Sequence, residues 1–201
     1  MKGNSEKTKK GCMGCLVVII LFIAFASIGG ALTSNKNSSN NSTSSGSSSS
    51  SVQYSKEDVL ADDEKVWNYV LPVINGHNDL IAELSNYSAE NALQIYNKAK
   101  DFEDFCQTQW GSAPQDLTTV PDEYMDSCKS YIIVEQTFAE SVMTFIDTQK
   151  TSDLSTVQDN IERCQEALSI MASNRGVYLS VYGNLTEEEI TEIANNSGII
   201  E

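Results

Sequence analysis

Apolar residues recur every seven positions in the last third of the chain, and this spacing restricts the fold more than any other feature. Two interleaved sets keep the period between residues 152 and 182: Leu154, Ile161 and Leu168, and Val157, Cys164, Met171 and Tyr178. A repeat of about 3.5 residues is typical of a helix that packs against other helices along one face. The segment is therefore predicted to be a long amphipathic helix, opened by Ser152 and Asp153 and ended by Gly183.

The same period predicts a first long helix that is capped by Ser55 and continues to about residue 85. Its two sets are Leu60, Trp67, Ile74 and Ile81, and Asp63, Val70, His77 and Leu84. Pro72 and the pair Asn75-Gly76 would normally break a helix, but the register passes through them unshifted. One kinked, continuous helix is expected.

Two further helices are predicted between these. Ser88 is expected to cap one that ends near Gly111, with Ala92, Ile95, Ala99, Phe102 and Cys106 on its apolar face. After a loop at 112–120, Pro121 opens the next. Its inward residues are Met125, Cys128, Ile132, Ala139, Val142 and Ile146, and Glu135 interrupts the stripe.

A short last helix is predicted from the capping box formed by Thr186 and Glu189. No segment alternates with period two for long enough to indicate a strand. The predicted fold of residues 53–201 is therefore all-α: an antiparallel up-down-up-down four-helix bundle with a short C-terminal helix.

The first 52 residues have a different composition. Residues 1–11 form a basic tail, 12–33 a transmembrane anchor, and 34–52 a Ser/Asn-rich linker that is expected to be disordered. Four lysines precede the apolar run and only Lys36 closely follows it, which predicts a cytoplasmic amino terminus and an extracellular bundle. The alternative is a signal peptide cleaved near Ala26, which would give a secreted protein.

The motif Gly11-Cys12-Met13-Gly14-Cys15 lies at the inner edge of this apolar run. A redox Cys-x-x-Cys normally lies in a folded domain, and a lipoprotein cysteine would follow the apolar run. The motif is interpreted as the boundary of the anchor. The layout of the first 50 residues looks like that of many small surface proteins of Gram-positive bacteria.

The charge of the bundle limits its partners. Eight of the 13 basic residues and 27 of the 28 acidic residues follow residue 52, so the bundle carries a net charge of −19. This charge repels phosphate groups and argues against nucleic-acid binding. Membrane contact is expected only through the N-terminal span.

Three cysteines lie in the predicted bundle. Cys106 and Cys128 are expected at a similar height on neighbouring helices, with Cys164 lower by about 14 Å. The sequence therefore makes Cys106 and Cys128 the candidate disulfide and leaves Cys164 as a buried thiol. The alternative is that all three are small core residues.

His77, Glu135 and Cys164 are expected near one layer of the bundle, at heights that differ by about 7 Å. A nucleophile and base is one interpretation, and a hydrogen-bonded core cluster is the favoured one. No catalytic residue, cofactor or metal is predicted, because one histidine and three cysteines far apart in sequence supply few ligands.

The sequence thus predicts a non-catalytic, membrane-anchored bundle with a protein-interaction or envelope-structural role. Its expected partner is another envelope or surface protein, and the sequence is also compatible with an oligomer of this chain. The alternative is a ligand-binding sensor or enzyme with a pocket near His77, where Pro72 and Gly76 loosen the first helix.

Overall fold

The computed structural model describes residues 54–196, which form a bundle of five helices without strands. These are α1 (Lys56–Ser85), α2 (Ala92–Gly111), α3 (Asp122–Thr148), α4 (Thr151–Val181) and α5 (Glu187–Asn196). The predicted all-α class is confirmed for this range. The predicted tail at 1–11, anchor at 12–33 and linker at 34–52 lie outside the described residues.

None of the five helices between residues 54 and 196 combines the length and hydropathy that a bilayer-spanning helix needs.

Helix α1 runs without interruption through Pro72, as predicted. The Ser55 side chain accepts a hydrogen bond from the Asp58 amide at 3.1 Å, which satisfies one of the free donors at the start of the helix. Pro72 cannot donate to the carbonyl of Asn68 four residues earlier. Both residues lie on the exposed side of the helix, where water can solvate that carbonyl.

The predicted start of the second helix at Ser88 is wrong, because α2 begins at Ala92. Asn91 accounts for the difference: its Oδ1 accepts hydrogen bonds from the Ser88 amide at 2.7 Å and from the Ser88 hydroxyl at 3.1 Å. These bonds hold residues 88–91 in a turn. Ser88 therefore belongs to the connection and not to the helix.

The last predicted start is confirmed. The Thr186 amide donates to Glu189 Oε2 at 2.9 Å, and the Glu189 amide donates to Thr186 Oγ1 at 3.3 Å. This reciprocal pair is the predicted capping box at the start of α5.

Helix α1 lies against all three other long helices. It is antiparallel to α2, because Tyr69 and Gly76 of α1 approach Gln109 and Phe102 of α2, respectively. Helix α3 contacts α1, α2 and α4, whereas no Cα atom of α2 comes within 8 Å of a Cα atom of α4. The helices are thus arranged as a rhombus, with α1 and α3 on its short diagonal.

This arrangement explains why α1 buries more than its two predicted sets. Five further apolar residues are also buried: Val59, Val66, Tyr69, Val73 and Leu80. A helix with neighbours on several sides needs a wider apolar face than a helix in a two-stranded seam. Leu60 and Ile81, at the edge of that face, are only partly buried.

Candidate functional site

The candidate site is centred on a hydrogen bond between His77 of α1 and Glu135 of α3. His77 Nδ1 lies 2.8 Å from Glu135 Oε2. Glu135 is fully buried, whereas the His77 side chain is 14 % exposed. The His77 ring also packs on Phe138, with the ring centroids 5.1 Å apart. The site is therefore in the bundle interior but reaches solvent at one edge.

Cys164 of α4 completes this group. One ring nitrogen of His77, a carboxylate oxygen of Glu135 and the Cys164 sulfur all lie within 4.8 Å of one another. Three helices thus bring together the three residues that the sequence placed near one layer. We call them the His–Glu–Cys cluster.

One oxygen of this cluster makes no well-formed hydrogen bond within the described part of the chain. Glu135 Oε1 is buried and makes no hydrogen bond of acceptable geometry to any described residue. The Tyr131 hydroxyl and the Cys164 thiol are near enough to feel its charge: burial and then Glu135 raise the pKa of both groups well above their ordinary values. Buried polar atoms are nearly always paired, so this oxygen calls for an explanation.

A protonated thiol is a weak nucleophile. Because the pKa of Cys164 is strongly raised, the cluster as it stands is poorly suited to nucleophilic catalysis. Imidazole nitrogen, carboxylate oxygen and thiolate sulfur are, however, the three kinds of ligand that proteins offer to transition metals.

Cys106, Cys128 and Cys164 are all buried free thiols in the structure. Burial and then Glu135 raise the pKa of Cys106 to about 12, whereas burial and then Asp63 raise the pKa of Cys128 to about 12. A different buried carboxylate thus acts on the pKa of each of these two thiols. The Cys106–Cys128 disulfide stays a prediction.

A second buried polar cluster lies nearer the start of α1. Arg175 of α4 contacts both carboxylate oxygens of Asp63, with Nη2 at 2.7 Å from Oδ2 and Nε at 3.0 Å from Oδ1. The guanidinium also lies 4.2 Å from the ring centroid of Trp67. Tyr124 donates to Asp63 Oδ1 at 3.4 Å. We call these residues the Asp–Arg cluster.

The heptad register predicts core positions for Asp63 and Trp67, but Arg175 was not predicted to be buried. A signal was present, because Arg175 follows Met171 by four residues and so lies on the same face of α4. A buried aspartate in the first helix requires a cation, and Arg175 is one of only two arginines in the chain.

The loop before α3 is attached to α1 by Asp62. Its Oδ2 accepts hydrogen bonds from the amides of Thr118 and Thr119 at 2.8 and 3.1 Å, and Lys65 donates to Oδ1 at 2.8 Å. Burial by itself would raise the pKa of Asp62, but these hydrogen bonds outweigh it and lower the pKa to about 2. Asp62 is thus a structural carboxylate.

Helix α4 also exposes an apolar stripe. Ile170, Val177 and Val181 are 51, 56 and 69 % exposed, and their spacing of seven and four places them on one face. The stripe is about 16 Å long at the helical rise.

The chain matches no known protein family, no curated protein sequence and no solved structure. Any function must therefore be argued from the residues themselves.

Proposed function

We propose that this chain is a single-pass membrane protein that displays an up-down-up-down helical bundle outside the cell and binds another envelope or surface protein. Residues 12–33 would be the anchor and 34–52 the tether. The support for the location is the uncharged run from Cys15 to Thr33, with four lysines before it.

The observation that carries the partner-binding proposal is the exposed stripe of Ile170, Val177 and Val181. Exposed apolar residues are common one at a time, but a row of branched residues along one helix face offers an apolar surface for a partner. The cost of leaving it in water is recovered when a partner covers it.

The charge of the bundle favours a particular kind of partner. The exposed residues Glu162 and Glu166 lie on α4 just before the stripe, and the bundle carries a large excess of acid. A partner with an apolar groove and a basic rim would complement both features.

The test uses the full chain in its own cells, with a photoreactive residue placed at Val177 or, as the control, at Ala172. Both positions are exposed on α4, but they lie on different faces. The proposal expects a discrete crosslinked species from position 177 that disappears when Ile170 and Val181 are both changed to Asp. Equal crosslinking from position 172, or no effect of the two Asp substitutions, would contradict it.

Location is tested separately. Protease added to intact cells should remove the bundle and leave a membrane-bound fragment that carries residues 1–33. Release of the intact bundle into the medium would instead indicate cleavage near Ala26. Protection of the bundle from protease would contradict an extracellular location.

A second candidate function is a ligand-binding sensor or enzyme that uses the interior near His77. The observation that favours it is the His–Glu–Cys cluster, where a fully buried carboxylate lies beside a ring that reaches solvent. Thermal unfolding of the full chain with small molecules and metals should reveal a stabilising ligand. A stabilisation that the His77→Gln variant retains in full would contradict a site at this position.

A further inference from the structure

The His–Glu–Cys cluster has the composition and the spacing of a metal site. We infer that His77, Glu135 and Cys164 bind one divalent transition-metal ion, and that Zn²⁺ fits them best. The inference rests on the second candidate function, because it names the ligand of that interior. It is independent of partner binding through α4.

The spacing of the ligand atoms supports this assignment. Zn²⁺ bonds of about 2.0–2.3 Å in tetrahedral geometry place neighbouring ligand atoms about 3.3–3.8 Å apart. The three atoms of the cluster already lie within 4.8 Å of one another, and the closest pair, His77 Nδ1 and Glu135 Oε2, is 2.8 Å apart. Adjustments of about 1 Å or less in side-chain position would bring all three into coordination.

The unpartnered oxygen of Glu135 is an independent observation in favour of a cation. Glu135 is completely buried, and its Oε1 accepts no hydrogen bond of good geometry from the described residues, although the Tyr131 hydroxyl and the Cys164 thiol both interact with the carboxylate. Its one contact with a basic side chain within residues 54–196 is the hydrogen bond with His77. A buried anion needs strong compensation, and a metal held by either oxygen would supply it.

The surroundings match a site that is closed on most sides. Burial and then Glu135 raise the pKa of both Tyr131 of α3 and Cys106 of α2, and Phe138 packs on the His77 ring. The exposed edge of His77 provides the route by which a metal enters. With three protein ligands, the fourth position of a tetrahedral ion would be held by water, as is common in zinc sites that bind a substrate.

Binding requires a proton to leave Cys164. The Sγ–H bond breaks, an Sγ–metal bond forms, and the proton goes to solvent, so the metal replaces H⁺ on a thiol that is otherwise protonated. The sequence contains no short metal-binding motif for this site, because its ligands are 58 and 29 residues apart along the chain.

The experiment uses the full chain in mild detergent, without an affinity tag, after treatment with a reductant and a chelator that are then removed. Co²⁺ serves as the probe because its spectrum reports ligand type and geometry. The inference expects one equivalent of Co²⁺ to bind, with a thiolate-to-cobalt charge-transfer band and the intense ligand-field bands of tetrahedral coordination. Binding of Co²⁺ should release about one proton per ion, and Zn²⁺ should then displace Co²⁺ without further proton release.

The variants are Cys164→Ala and, as the matched control, Cys128→Ala, because both thiols are buried. Cys164→Ala should remove the charge-transfer band and weaken Zn²⁺ binding more than about 100-fold, since even the loss of a residue behind a metal ligand costs 10–100-fold. Cys128→Ala should bind like the unchanged chain. His77→Asn and Glu135→Gln should each weaken binding, and far-ultraviolet circular dichroism verifies that each variant is folded.

Two results would overturn the inference: no stoichiometric Co²⁺ spectrum with the unchanged chain, or an identical charge-transfer band in Cys164→Ala. The first of these is decisive even where a variant fails to fold. If no metal binds but another small molecule stabilises the chain in a His77-dependent way, the metal assignment fails and the second candidate function stands.

Discussion

Each of the two buried polar clusters of this bundle is centred on a buried carboxylate, but the two carboxylates differ in how many of their oxygens make hydrogen bonds of good geometry. In the Asp–Arg cluster, both oxygens of Asp63 accept hydrogen bonds, and Arg175 also lies over the Trp67 ring. In the His–Glu–Cys cluster, only one oxygen of Glu135 makes a hydrogen bond of good geometry to a residue within 54–196. The centres of the two clusters are 14 residues apart along α1, or about 21 Å.

The difference separates a structural role from a functional one. A carboxylate that is bound in bidentate fashion by an arginine has both its negative charge and its hydrogen-bonding capacity compensated. The Asp63–Arg175 pair therefore fixes the register of α1 against α4. A carboxylate that keeps one buried oxygen free retains the capacity to bind something else. Four predictions test whether this contrast is real.

The largest effect is expected for Asp63→Asn. The amide cannot neutralise the Arg175 guanidinium, which is left buried without its counter-charge, so unfolding free energy should fall by about 3–5 kcal/mol. Urea denaturation of the full chain, followed by circular dichroism, measures the change. A loss under about 1 kcal/mol would mean that the Asp–Arg cluster does not stabilise the fold.

Gly76→Ala tests how closely the bundle packs beside His77. A Cβ at this position would lie 2.4 Å from Phe102 Cε2, so the ring must move and stability should fall by about 1–3 kcal/mol. The control is Gly176→Ala on α4, where no atom of residues 54–196 beyond the adjacent backbone of the helix itself lies within 4 Å of the new Cβ. That variant should gain up to about 1 kcal/mol from its higher helix propensity.

The pH dependence of Asp62 extends the comparison to the loop beside the Asp–Arg cluster. Its pKa is lowered from 3.8 to about 2, so its contribution is complete above pH 4 and is lost as the pH falls from about 4 to about 2. Because Asp62 is buried, the contribution is of the order of 2 kcal/mol. Urea denaturation across this pH range should show the loss in the unchanged chain and not in Asp62→Asn. Parallel curves for the two proteins would contradict this assignment.

The smallest effect is expected for Glu135→Gln in metal-free protein. The amide has the same shape, keeps a hydrogen bond to His77 and removes a buried charge, so stability should change by less than about 1 kcal/mol. The contrast with Asp63→Asn, the same chemical change in the other cluster, is the direct test. A loss as large as that of Asp63→Asn would mean that Glu135 is a structural residue too.

Much of the local structure could be predicted from the sequence. Ser55 and the pair Thr186 and Glu189 mark helix starts because their side chains bond to amides only three residues away. Ser88 misled the prediction for a related reason: the side chain of Asn91 holds it in a turn instead. Short-range hydrogen bonds can be predicted from the local sequence. Where a helix start and a turn are both compatible with that sequence, as at Ser88, the rest of the fold selects one of them.

The candidate site could be predicted in part. Heptad register placed His77, Glu135 and Cys164 on inward faces, and helical rise placed them near one height. Neither quantity fixes how far apart three side chains on three helices will be. The bond between Arg175 and Asp63 was missed for the same reason, since a partner 112 residues away leaves no local pattern.

By itself, the sequence determined the helices, because apolar side chains with a 3.5-residue period lie on one face of a segment only if that segment is a helix. It also placed Asp63, His77 and Glu135 on inward faces, although it did not identify Arg175 as a core residue. Tertiary structure alone decided which of them meet: α1 lies against three helices and joins Asp63 to Arg175 and His77 to Glu135. The physical reason is that periodicity sets the direction of a side chain, whereas the distance between two side chains depends on how the helices pack.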